Sequence, residues 1–108
     1  MLPIKSNDPP QLHPEPGMVR QVLAHSPHLM LVRHYFEPGW VGAAHSHPHH
    51  QLIYVVSGHI RLTLPDGEFD LESGDSIVID GGVQHQASAL VASEVLDVFT
   101  PIREDYKP

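Results

Sequence analysis

Apolar and polar positions alternate in short runs along most of the chain, and no run keeps helical spacing over three turns. From Met18 onward the runs are MVRQVLA, LMLVRHYF, QLIYVV, HIRLTL, EFDL, SIVI, VQHQASAL and EVLDVFT. Between them stand EPGW, SG, PDG, ESGD and DGG, whose glycines and prolines mark turns. Strands this short, recurring with such punctuation, predict an all-β sandwich or barrel rather than a sheet with crossover helices. The first seventeen residues, MLPIKSNDPPQLHPEPG, hold five prolines. Neither a helix nor a central strand can form there, so an extended arm over 1–17 is expected ahead of a β-domain over 18–108. QLIYVV, SIVI and EVLDVF are apolar at nearly every position, which predicts cover on both faces. One face would be the barrel interior and the other a partner sheet, a second subunit or a thick core.

Length and composition narrow the function. A chain of 108 residues makes one domain with one core, so the core must also house the site. With no cysteine there is no disulfide framework, thiolate zinc site or thiol nucleophile, and metal chemistry would rest on nitrogen and oxygen ligands. The net charge of −7, with six scattered lysines and arginines, argues against nucleic acid, and an anionic substrate would need a local cation. No apolar run is long enough for a signal peptide or a membrane span, so the expected protein is soluble and cytoplasmic.

Histidine is then the residue to follow. The stretch HSHPHHQ, residues 45–51, holds four of the ten histidines. On a strand, side chains two apart share a face, so His45 and His47 can grip one ion, and Gln51 shares their parity if the strand stays regular. Pro48 disturbs that regularity, because it favours an edge or a bulge. A further ligand must come from another strand, and VQHQ supplies His85. His49 and His50 compete for the same role through sheer density. His13, His25, His28 and His59 read as solvated or packed; His34 could line the cavity, but reads first as a hydrogen-bonded core or surface histidine.

The spacing goes further. Gly39, five residues, His45, one residue, His47, three residues, Gln51, six residues and Gly58 resemble the first motif of the cupin superfamily, with Gln51 at the glutamate position. Gly74, Asp80, Gly82 and His85 resemble the second, with Asp80 in place of proline and Ala89 in place of asparagine. The resemblance implies a single-domain jelly-roll β-barrel with a divalent metal held by His45, His47, Gln51 and His85. It also implies a homodimer that shares N-terminal strands. Three neutral imidazoles and a carboxamide leave the ion's charge uncompensated, which favours Lewis-acid chemistry on anionic or hydroxyl-rich ligands over high oxidation states. Nitrogen-rich sites of this kind accept nickel, iron, zinc, manganese or copper.

Asp97 is a second anomaly, an acid inside the apolar strand EVLDVFT. A carboxylate there must face a polar cavity or be paired. It shares parity with Phe99, and Arg103 follows after Pro101; the alternative is an outward Asp97 paired at a sheet edge. Together LMLVRHYFEPGWVGAAHSHPHHQLIYVVSG, GDSIVIDGGVQH and VLDVFTPIREDY resemble the KdgF-type cupins of pectin and alginate breakdown, over Met18 to Tyr106. Departures fall at His50, where an acidic or polar residue is frequent, and at Asp80. The resemblance implies linearisation of 4,5-unsaturated monouronates, with Asp97, Phe99 and Arg103 in the active site. Two rival readings share the fold: an oxidative cupin using iron and dioxygen, and a non-catalytic sugar-binding or sensory module.

Overall fold

The computed structural model describes residues 1–107. It is all-β, with eight strands in two antiparallel sheets: β1 (Met18–Ser26), β2 (Leu29–Phe36), β3 (His50–Ser57), β4 (His59–Leu64), β5 (Gly67–Glu72), β6 (Ser76–Ile79), β7 (Gln86–Ala89) and β8 (Ser93–Thr100). One sheet has the order β1-β2-β8-β3-β6 and the other β5-β4-β7. The sheets enclose the core as a jelly-roll barrel without a closed ring of ladder bonds. Among the described residues no helix is long and apolar enough to cross a membrane.

Period-two alternation explains which residues fill the interior. In β2 the buried row is Met30, Val32, His34 and Phe36, and in β8 it is Ser93, Val95, Asp97 and Phe99. Ile53 and Val55 of β3, Ile60 and Leu62 of β4 and Leu71 of β5 complete the main apolar cluster with Phe36, Ile79, Ala89 and Val95. A second cluster of Val22, Met30, Val32, Phe99 and Ile102 closes one end, with Tyr106 packed against it. His34 is thus the one polar member of the inward row of β2, Asp97 is the charged member of that of β8, and Arg20 shares its face with Met18 and Val22.

The strand expectations hold, with informative exceptions. VQHQASAL is a strand only over Gln86–Ala89. A 3-10 turn at Glu104–Tyr106 follows the last strand and brings Tyr106 back against Phe99. The expected cover on both faces is not provided within the chain: outward-facing Leu52, Tyr54 and Val78 are 39%, 43% and 61% exposed. Residues 1–17 form no named strand; Leu12 makes an isolated bridge to Arg20, and the buried Gln21 side chain donates to the carbonyls of Ser6 and Pro9.

Candidate metal centre

His45 and His47 do not lie on a regular strand, as the parity reading supposed. β3 begins only at His50, and the preceding loop is anchored by an isolated bridge in which His45 and His85 exchange backbone hydrogen bonds of 3.0 and 2.8 Å. Pro48, which supplies no ladder donor, sits in the irregular stretch. The bridge brings His85 beside His45 across forty residues of sequence. The outcome is a triad of His45, His47 and His85 whose ligand nitrogens all lie within 4.8 Å of one another, placed to hold a metal ion.

Hydrogen bonding fixes the state of two of the three rings. His47 Nδ1 donates to the His49 carbonyl and His85 Nδ1 to the Val83 carbonyl, both at 3.0 Å, so each Nε2 is left as a lone pair. His85 Nε2 stands 3.0 Å from His45 Nε2, and His47 Nε2 stands 3.0 Å from Gln51 Oε1. The Gln51 amide cannot turn round to relieve this, because its Nε2 donates to Asp97 Oδ1 at 2.8 Å. His47 and Gln51 therefore meet acceptor to acceptor, an arrangement that a cation among them satisfies. Nor is a second proton the remedy. Burial pushes His45 and His47 below the ordinary histidine value, with the neighbouring His85 next in importance for His45 and the Arg103 charge for His47. The residues present fit a metal held by three imidazoles and a carboxamide oxygen.

Of the two competing histidines, His50 has another partner, its ring accepting the Gly81 backbone N–H at 2.9 Å. His49 gives its carbonyl to His47, while its buried ring Nδ1 has no hydrogen-bond partner among the described residues. Gly81 could be no larger, since a Cβ there would meet the Pro48 carbonyl oxygen.

His45 and His85 of the triad open onto a cavity of about 310 Å³, lined also by Gln51, Asp97, Phe99 and Arg103 together with His34, Arg20 and Tyr106. That size suits a small ligand. Asp97 faces this interior, not a sheet edge: it is 4% exposed and accepts from Gln51 Nε2 and, at 2.7 Å, from His34 Nδ1. Phe99 is buried with its ring edge-on to His47, centroids 5.9 Å apart. Arg103 is buried too, and its Nε and Nη2 grip the Asp105 carboxylate at 3.1 and 2.8 Å. This guanidinium holds Asp105 below the usual carboxylate range. Tyr106 lies between two guanidiniums, with Arg20 at 3.7 Å and Arg103 at 4.1 Å from its ring centroid.

Sequence reasoning underrated His34 and missed Arg20 and Tyr106. The available signal was parity: His34 occupies an inward position of LMLVRHYF, and Arg20 one of MVRQVLA.

Residues 32–99 match the cupin domain. The chain belongs to the cupin family. This cupin is similar to KdgF from Halomonas sp., with 35% identity and a TM-score of 0.92 over 98% of this chain and 100% of that one. It is also similar to an RmlC-like cupin from Shewanella frigidimarina, at 30% identity and a TM-score of 0.91, covering 95% and 93% of the two chains. Oxalate decarboxylase from Bacillus subtilis, whose Mn(II) centres have been studied, shares the fold at 24% identity and a TM-score of 0.80, over 91% of this cupin and 29% of that enzyme. Among functionally curated proteins no match was found.

Proposed function

We propose that this cupin linearises 4,5-unsaturated monouronates into open-chain 4-deoxy-5-ketouronates, the small anionic sugars released in pectin and alginate breakdown. The observation that carries the reading is Gln51, which turns its oxygen to His47 and its N–H to Asp97 and so joins a metal centre to a buried acid in one cavity. The similarity to KdgF along the whole chain supports it.

The substrate is a cyclic enol ether. Proton transfer to C4 and addition of water at C5 give a hemiketal, whose collapse breaks the bond from C5 to the ring oxygen and leaves a ketone. Asp97 is the group placed to move the proton. A divalent transition metal, nickel, iron, zinc or manganese, held by His45, His47, Gln51 and His85 supplies Lewis acidity toward the sugar oxygens when bound. Arg103 offers its Nη1 side to the uronate carboxylate, since Asp105 takes the opposite edge. Phe99 walls the pocket.

The test is the decay of ultraviolet absorbance of an unsaturated monouronate with metal-loaded protein beside a chelated control. Accelerated loss that requires metal is the expected result. No acceleration with any of the four metals, or oxygen uptake in step with substrate loss, would discard the reading. In the same assay Arg103→Ala is expected to raise KM about tenfold, the scale of one lost charge-assisted hydrogen bond; an unchanged KM removes Arg103 from the site.

The exposed apolar face of Leu52, Tyr54 and Val78 supports a homodimer formed through the outside of the larger sheet. Sedimentation should then give twice the chain mass of 12.0 kDa, and Val78→Lys should return it to one.

A further inference from the structure

Arg20 and His34 lie outside both metal motifs and outside the terminal acid segment, yet both line the cavity. The strand registers bring them into line with Asp97. Arg20 pairs directly with His34 across β1 and β2. Across β2 and β8, Val32 pairs with Asp97 and His34 with Val95, which makes His34 and Asp97 diagonal neighbours on one face. Across β3 and β8, Ile53 pairs with Asp97 and Gln51 with Phe99, so Gln51 is the diagonal neighbour on the other side.

The contacts follow that geometry. Arg20 Nε donates to His34 Nε2 at 3.0 Å. A guanidinium has only donors, so Nε2 must present its lone pair and the ring carries its one proton on Nδ1. That proton is donated to Asp97 Oδ2 at 2.7 Å, while Asp97 Oδ1 accepts from Gln51 at 2.8 Å. Donors on the two flanking strands thus hold both carboxylate oxygens, and rotation of the carboxyl group would break one bond or the other. The ring itself is held flat against Phe36, centroids 5.5 Å apart at 16°, and Arg20 is stacked on Tyr106.

We propose that His34, set in one tautomer by Arg20, is a positioning residue that holds the Asp97 carboxylate in its reacting orientation; this rests on the reading of Asp97 as the proton-transferring group. A role in packing alone would be met by an apolar residue, as at Met30, Val32 and Phe36 of the same row. Two donors on one carboxylate do something packing does not: they fix the direction of the remaining lone pairs. Misplacement of a reacting group by about 1 Å can cost on the order of a hundredfold in rate.

The experiment has a spectroscopic and a kinetic arm. In the substrate-free protein, long-range proton–nitrogen correlation of ¹⁵N-histidine should show His34 protonated on Nδ1 alone. The Gln51 side-chain amide should show shifted, slowly exchanging signals that revert to solvent-like values in His34→Leu. In the kinetic arm, His34→Leu should lower kcat at least about tenfold with KM within about twofold and metal content unchanged. His34→Asn, whose amide N–H can stand where Nδ1–H stands, should recover most of that loss. A His34 ring protonated on Nε2 or on both nitrogens, an unmoved Gln51 amide in His34→Leu, or a kcat unaffected by that variant would each overturn the proposal. Should His34→Leu not fold, the wild-type tautomer and His34→Asn decide. The resonances need no substrate, so absence of wild-type turnover counts against the uronate reading while the positioning role is judged on the spectra.

Discussion

Asp97→Asn is expected to lower turnover of an unsaturated monouronate by about a hundredfold or more, the usual scale of one general acid/base, while metal content stays at the wild-type level. The carboxylate is enclosed and receives two N–H groups, from His34 and from Gln51. An asparagine offers one acceptor and one donor, so while the Gln51 oxygen is kept toward His47 by a bound metal, an N–H is turned toward an N–H in either orientation. Arg20 keeps His34 from answering by shifting its proton to Nε2. Leaving a buried donor unmatched costs roughly 1–3 kcal/mol, enough to lower the melting temperature but not to unfold a domain of ordinary stability. Loss of rate should therefore be measured on folded protein, by circular dichroism and initial rates of ultraviolet decay together. Wild-type turnover in Asp97→Asn would remove Asp97 from proton transfer and leave it a structural acid.

Metal loading is expected to produce the second large effect, on stability. A ligand at a hundredfold excess over its Kd stabilises the fold by about 2.7 kcal/mol if it binds only the native state. For a domain of this size that corresponds to roughly 10–20 °C in Tm. The HSHPHH run would also take up metal in the unfolded chain, which places the expected rise toward the lower end of that range. His85→Ala should abolish most of it, because only two imidazoles, His45 and His47, and the weakly binding Gln51 oxygen would then remain for the ion. The metal-free protein has its own pH dependence. His45 and His47 are held below the ordinary histidine value in the fold, by burial first. The unfolded chain therefore takes up these protons earlier as pH falls. The stabilising contribution is complete above about pH 6.5, the unfolded histidine value, and is lost progressively below it as pH drops through the folded values. Thermal scans of chelated and loaded protein between pH 8 and pH 5 would show this; an unchanged Tm on loading at neutral pH with any divalent transition ion would exclude a metal at the triad.

Much of the strand pattern was legible because alternation is local. LMLVRHYF and HIRLTL coincide with β2 and β4 residue for residue, since each is bounded by turn residues and carries a strict inward row. Continuous hydrophobicity in QLIYVV and SIVI predicts cover on both faces; within the chain the outer face stays open, which leaves its cover to the proposed second subunit. VQHQASAL is shorter as a strand because Val83, Gln84 and His85 have strand-like composition but lie in the loop that carries the third histidine of the triad. The route by which His45 and His47 converge was also misjudged, since period-two reasoning presumes a regular strand where the loop is in fact pinned by its bridge to His85.

By itself the sequence determined the all-β class, the short strands and the candidate histidine and acid positions, because side-chain parity and motif spacing are properties of neighbouring residues. Only the tertiary structure decided that Gln51 faces both His47 and Asp97, that His34 holds the acid and that Arg20 holds His34. Those contacts span 4, 46, 63 and 14 residues of chain. The three longer ones depend on strand register, which is set by the packing of the whole core: a slip of one residue would turn each of these side chains to the opposite face of its sheet.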